Sequence, residues 1–148
     1  MQFISVQQAD FDATAELGRL VAGAGGVSSF IGVVRGEVNG RPLAALRLEH
    51  YPGMTEKALT RLAETAAARW DLTGCTIIHR FGRLLPGQNI VLAATASRHR
   101  AASLAATAFL IDQLKTSAPF WKAEEFADGT VEWVAARESD SNAAASWS

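Results

Sequence analysis

Cysteine is almost missing from this chain. Cys75 stands alone, so no internal disulfide can form and stability has to come from a packed core. A lone thiol in an apolar segment reads as a core residue and points to a reducing compartment. Charge of one sign is missing too: 14 basic residues face 15 acidic ones, with no dominant charge run. A nucleic-acid or membrane-surface role would therefore need a local basic patch. No run of roughly 18 uncharged apolar residues occurs outside an alanine-rich helical pattern. The first residues lack a basic stretch followed by an apolar one, and the expectation is a soluble, cytoplasmic protein. Familiar catalytic signatures are absent as well. His50, His79 and His99 are scattered without HxxxH spacing, there is no CxxC or GxSxG, and Gly23, Gly25 and Gly26 lack both GxGxxG spacing and a Walker lysine. Metal-site, hydrolase and redox readings fall with them, no cofactor is called for, and the glycine cluster reads as a turn.

What is present is enough for one domain. The chain has 148 residues, 49% of them hydrophobic, which suffices for a sizeable core. Met1 to Val6 reads as a strand, and Asp10 as the N-cap of a helix from Phe11 to Val21. Val27 to Arg35 is a buried strand, and Asn39-Gly40 turns a hairpin into Leu43 to Glu49. After Tyr51-Pro52-Gly53, Thr55 caps a helix to Trp70, with an apolar stripe at Leu59, Leu62, Ala63, Ala66 and Trp70. Thr76 to Leu85 and Asn89 to Ser97 read as strands joined through Pro86-Gly87. Ala101 to Lys115 is helical and apolar on nearly every face, which suits a central position or a subunit contact. Asp128-Gly129 turns into a strand from Thr130 to Ala135, and the tail from Ser139 is expected to be loosely ordered. Hairpins interleaved with helices predict an α+β fold: a mixed, largely antiparallel sheet with packed helices in a single domain.

The chain is organised around Asp112 to Lys122, DQLKTSAPFWK. Proline disfavours helix in the residue before it and cannot continue one, so the helix through Leu114 should end near Thr116. Lys115 then lies on the last turn and Lys122 on the extended segment that follows. If the chain doubles back there, both ammonium groups reach one pocket walled by Phe120 and Trp121. Amines gathered in a partly dry site hold their protons less tightly, which suits anion binding, proton transfer or covalent work. A lysine in a last turn is equally explained as a solvated end favoured by the dipole. Arg98, His99 and Arg100 sit where positive charge opposes the macrodipole of the next helix. An anionic ligand on the free N–H groups would justify that, as would neighbouring carboxylates. His50 reads as a satisfied strand-end histidine, and His79 as a strand side chain and no more.

Five blocks carry a resemblance: LEHYPGMTEKAL from Leu48, IIHRFGRLLPG from Ile77, SRHR from Ser97, LKTSAPFWKAE from Leu114 and WVAARESD from Trp133. Together, in this order, they resemble the MoaE family, the large catalytic subunits of molybdopterin synthase. The resemblance implies an α/β hammerhead-like fold and a sulfur transfer in molybdenum cofactor synthesis. It implies a small ubiquitin-like partner whose C-terminal Gly-Gly thiocarboxylate enters a pocket, with cyclic pyranopterin monophosphate as acceptor and a dithiolene as product. It further implies Lys115 and Lys122 as catalytic lysines, with Val33, Val34, Arg35, His99, Arg100, Glu124 and Arg137 binding substrate. The assembly implied is a homodimer with one small subunit at each end, and pockets drawing on both large subunits. The chain departs from the pattern at Val33, at the short loop Gly36 to Pro42, and at Ala123, where a basic residue is common. A non-catalytic paralogue that only docks the partner tail is the alternative, and a small RNA-binding domain using Arg98 to Arg100 is a poorer one.

Overall fold

The computed structural model describes residues 1–134 and 138–148, with the backbone alone at 138–139. In chain order the elements are β1 (Gln2–Gln7), α1 (Ala13–Gly18), β2 (Gly26–Val33), β3 (Glu37–Val38), β4 (Arg41–His50), α2 (Met54–Trp70), β5 (Gly74–Arg80), β6 (Gly82–Leu84), β7 (Asn89–Ser97), α3 (Arg100–Ser117), β8 (Phe120–Phe126), β9 (Val131–Val134) and α4 (Glu138–Ala145). The α+β architecture expected from the sequence holds, with its strands divided among the described residues between two sheets.

The first sheet runs β1-β5-β7-β2, with β1 parallel to β5 and the remaining pairs antiparallel. Every residue of β5 is buried because both of its faces are covered. Successive strand residues point to opposite faces. Ile77 meets Leu59 and Ala63 of α2 and Phe109, Leu110 and Leu114 of α3. Ile78 goes the other way, to Leu20, Leu92, Ala94 and Ala96. This double cover is why GCTIIHR shows no alternation of polar and apolar residues.

The second sheet runs β3-β4-β8-β9, with β6 also paired to β4. Asn39 and Gly40, at φ of 52° and 77°, make the β3-β4 hairpin that the dipeptide signals. Val34, Leu46, Leu48 and Leu84 pack together between the two sheets.

Several local readings are corrected: β2, expected to be a buried strand, lies at the edge of its sheet and exposes Val27, Phe30, Ile31 and Val33. The stretch from Thr76 to Leu85 is two strands in different sheets, because Gly82 at φ 96° turns the chain from one sheet to the other. Asp12, not Asp10, caps a shorter α1 by accepting from the Ala15 N–H at 3.1 Å, while Asp10 accepts from Asn89 Nδ2 at 3.0 Å. Helix α2 is capped by Glu56, whose Oε2 accepts from the Gly53 N–H at 2.8 Å; Thr55 is buried and donates to the Tyr51 carbonyl. Gly25 is not a mere turn residue. A Cβ there would collide with the Arg98 carbonyl oxygen, so the glycine lets two backbones meet at the start of α3.

The C-terminal segment is not a loose tail. It forms α4, and beyond it Trp147 packs edge-on against Trp70 and Phe109, with ring centroids 5.5 and 5.7 Å away. Its Nε1 donates to Asp112 Oδ2 at 2.6 Å, and its carbonyl accepts from Arg69 Nη1 at 2.8 Å. An alanine-serine sequence conceals this because one aromatic residue, placed by tertiary contacts, provides the anchor. No helix among the described residues is long and apolar enough to cross a membrane.

Candidate active site

A cavity of about 720 Å³ opens between the end of β2, the faces of β4 and β8, and the C-terminal half of α3. Its size is that of small-ligand pockets generally. Much of its wall is apolar, from Leu46, Leu48, Ile111, Leu114 and Phe120, and against this stand Arg35, Lys115 and Lys122.

The two lysines arrive from either side of the Pro119 break. Ala118 is extended (φ −81°, ψ 135°), as a residue before proline should be, and α3 stops at Ser117. Leu110 and Leu114 face the core on the last turns, which leaves Lys115 outward at the cavity rim. β8 then runs antiparallel to β4, pairing Phe120 with His50, Lys122 with Leu48 and Glu124 with Leu46. Phe120, Lys122 and Glu124, two residues apart, all reach the cavity. Trp121 also lines it, with its ring 4.7 Å from that of Tyr51.

Arg35 is held by its neighbours. The Val34 N–H donates to the Gln88 carbonyl and the Val34 carbonyl accepts from the Gly87 N–H, both at 2.9 Å; the Gly36 carbonyl accepts from the Leu43 N–H at 2.9 Å. Val34 is thereby buried while Val33 and Arg35, either side of it, are exposed, and all three line the cavity. A register shift between Gly32 and Val33 starts this irregular segment.

His99 and Arg100 lie elsewhere. They stand at the N-terminus of α3, and Lys115 lies fifteen positions further along the helix than Arg100, about 22 Å at the α-helical rise. Within one chain they do not line the cavity that holds Lys115, Lys122 and Arg35. An unbroken helix keeps its two ends apart, and spacing in sequence cannot reveal this before the helix is known to be continuous. Arg137 lies outside the described residues.

Two residues acquire a place that the sequence did not signal. Asp140, on α4, reaches the cavity. So does His79, at the end of the central strand, with its ring stacked on Phe120 at 3.7 Å between centroids and 18° between planes. Burial pushes the His79 imidazole down to about 4, so it is neutral at physiological pH. Alternation along β5 gives the face of a residue but not which strand end adjoins a void. Cys75 is buried on the same strand, away from the cavity lining, and burial pushes its thiol up to about 12. Such a thiol is inert. The cavity therefore offers cations, an apolar wall and a neutral imidazole, a set suited to binding an anionic guest and moving protons on it.

Comparison with known proteins agrees with this outline. A family model described as MoaE protein matches residues 6–117. The molybdopterin synthase catalytic subunit of Ralstonia nicotianae is 50% identical over 150 residues, covering 99% of this chain and 85% of that protein. Its namesake from Pseudomonas aeruginosa is 50% identical over 147 residues, covering 97% of each. Among solved structures, the molybdopterin biosynthesis MoaE protein from Burkholderia ambifaria superposes with a TM-score of 0.84 at 45% identity, covering 99% of this chain and 98% of the other. With a family model matched over most of its length and relatives at half identity over nearly the whole of this chain, the chain belongs to the MoaE protein family.

Proposed function

We propose that this chain is the catalytic subunit of a molybdopterin synthase, a cytoplasmic sulfurtransferase of molybdenum cofactor biosynthesis. It takes sulfur from the thiocarboxylated C-terminus of a small ubiquitin-like subunit and places it on cyclic pyranopterin monophosphate, making the dithiolene. The observation that carries this reading is the single cavity on which Lys115, Lys122 and Arg35 converge against an apolar wall. Every reactant is anionic, and cations in a partly dry cleft attract anions far more strongly than in water. A glycine tail has no side chains to exclude it from such a cleft. Sulfur arrives on the partner, which is consistent with Cys75 being buried and inert.

The roles follow from chemistry. Arg35 offers a planar fork of donors to a phosphate. Lys115 and Lys122 neutralise the thiocarboxylate and supply or take up protons as each C–S bond forms and as water later releases the tail as a carboxylate. Glu124 and Asp140 line the same cavity and can accept the donors of a heterocycle.

His99 and Arg100 enter through a second copy of the chain. β2 is a sheet edge that exposes Val27, Phe30, Ile31 and Val33, each more than a third accessible, beside the start of α3. Burying such an edge between two copies removes a liability of the single chain. In the homodimer, one chain's α3 N-terminus then completes its partner's cavity, and a small subunit at each end makes a heterotetramer. The test is reconstitution with purified thiocarboxylated small subunit and cyclic pyranopterin monophosphate. Dithiolene product that depends on both is expected; binding without product at saturating substrate would leave only a tail-docking protein and overturn the proposal.

A further inference from the structure

His79 has no part in the roles above, yet it lies on the cavity wall in a fixed orientation and a fixed tautomer. Its Nδ1 is 2.8 Å from the Arg80 carbonyl oxygen. A carbonyl can only accept, so Nδ1 carries the proton and Nε2 the lone pair. Phe120, stacked flat against the ring, fixes the plane in which that lone pair lies. No hydrogen bond among the described residues engages Nε2, although the ring is buried and the residue lines the cavity. Among the described residues Nε2 is not one of the buried polar atoms that lack a partner, so it is open to the cavity, where the N–H of a guest can meet it. His50, the neighbouring imidazole, does not line the cavity; its Nδ1 donates to Thr55 Oγ1 at 3.0 Å, since that hydroxyl itself donates to the Tyr51 carbonyl.

We propose that His79 is a further substrate-contacting residue, whose Nε2 accepts a hydrogen bond from an amide-type N–H of the guest. It adds an acceptor without adding charge. The other acceptors on the wall, Glu124 and Asp140, are carboxylates among cations, whereas a neutral nitrogen selects an uncharged N–H donor. Two guests offer that chemistry: the peptide link of the incoming glycine tail and the ring N–H groups of the pterin. The assignment rests on the synthase reading.

Three variants separate contact from architecture. His79→Gln places an amide oxygen near the Nε2 position, His79→Asn keeps only a donor for the Arg80 carbonyl, and His79→Phe keeps only the flat ring against Phe120. With wild-type turnover established in parallel, His79→Asn and His79→Phe should raise one KM roughly three- to tenfold, the worth of one neutral hydrogen bond, and His79→Gln should recover most of it. A rise in KM for the small subunit assigns the contact to the tail, and a rise in KM for the pterin assigns it to the heterocycle. A purely architectural histidine would give the opposite order, with His79→Asn better than His79→Gln, and would overturn the inference. An independent readout uses wild-type protein labelled with ¹⁵N at histidine. Adding unsulfurated small subunit, or pterin substrate alone, should shift the Nε2 resonance while Nδ1 stays put; an Nε2 signal unmoved by either guest overturns the contact. An inactive wild type would sink the synthase reading instead, and the two failures are therefore distinct.

Discussion

Lys115 illustrates how little a side chain can matter to the fold and how much to the chemistry. It is exposed on the last turn of α3, while its neighbour Leu114 supplies the packing. Lys115→Ala should lower turnover on the order of a hundredfold or more, the usual scale for a proton-transferring group, and change stability by less than about 0.5 kcal/mol. Steady-state kinetics beside urea melts check both halves. Cys75 makes the opposite case. With its thiol pushed up to about 12 and buried, it should resist iodoacetamide in the native protein and react only on unfolding, as mass spectrometry would detect. His79 links site and stability through pH. Its folded value, about 4, lies below the ordinary 6.5, so the unfolded chain binds the proton more readily. The stabilisation is complete above about 6.5 and is lost as pH falls toward 4, on the order of 3 kcal/mol in total. His79→Gln should flatten that limb of the stability-pH curve.

Among the elements, α3 does the most to set the geometry of the site. Its length places Lys115 at the cavity and Arg100 at the far end, and both ends are fixed by backbone. The C-terminal end was legible in the sequence because Pro119 acts locally. The N-terminal end depends on Gly25, which only the packed structure explains. Gly25→Ala should displace the start of α3 and cost more than about 2 kcal/mol, since backbone rather than a flexible side chain must yield. Composition does not reveal the order of the C-terminal segment, because long-range contacts hold it: Gln113 Nε2 donates to the Ala144 carbonyl at 3.0 Å, and Trp147 is hydrogen-bonded to Asp112 and Arg69. Trp147→Ala removes a ring between Trp70 and Phe109 and a donor to Asp112, and should cost roughly 2–4 kcal/mol in urea unfolding.

For the whole molecule, the distance between the ends of α3 becomes a statement about assembly. Lys115 and Arg100 of one chain cannot serve one site directly, so a site that needs both must draw them from two chains. Each inactive on its own, Lys115→Ala and Arg100→Ala chains should complement when mixed and allowed to exchange. In a mixed dimer one cavity carries both lesions and the other carries neither, so about half the wild-type activity per mixed dimer returns. Absence of any recovery in verified mixed dimers would mean that each chain builds its site alone.

The sequence by itself determined what is local: the hairpin at Asn39-Gly40, the stop at Pro119 that puts Lys115 and Lys122 on successive elements, the inertness expected of a lone apolar cysteine, and the α+β alternation. Turn chemistry and backbone sterics act over a few residues, and they leave their mark in residue type. Only the tertiary structure decided that β5 and β6 part into separate sheets, that His79 ends beside a cavity, that Trp147 folds back onto α2 and α3, and that His99 and Arg100 stand a helix length from the lysines. These depend on which distant segments bury one another, a free energy summed over the whole core, and no short stretch of residues carries that sum.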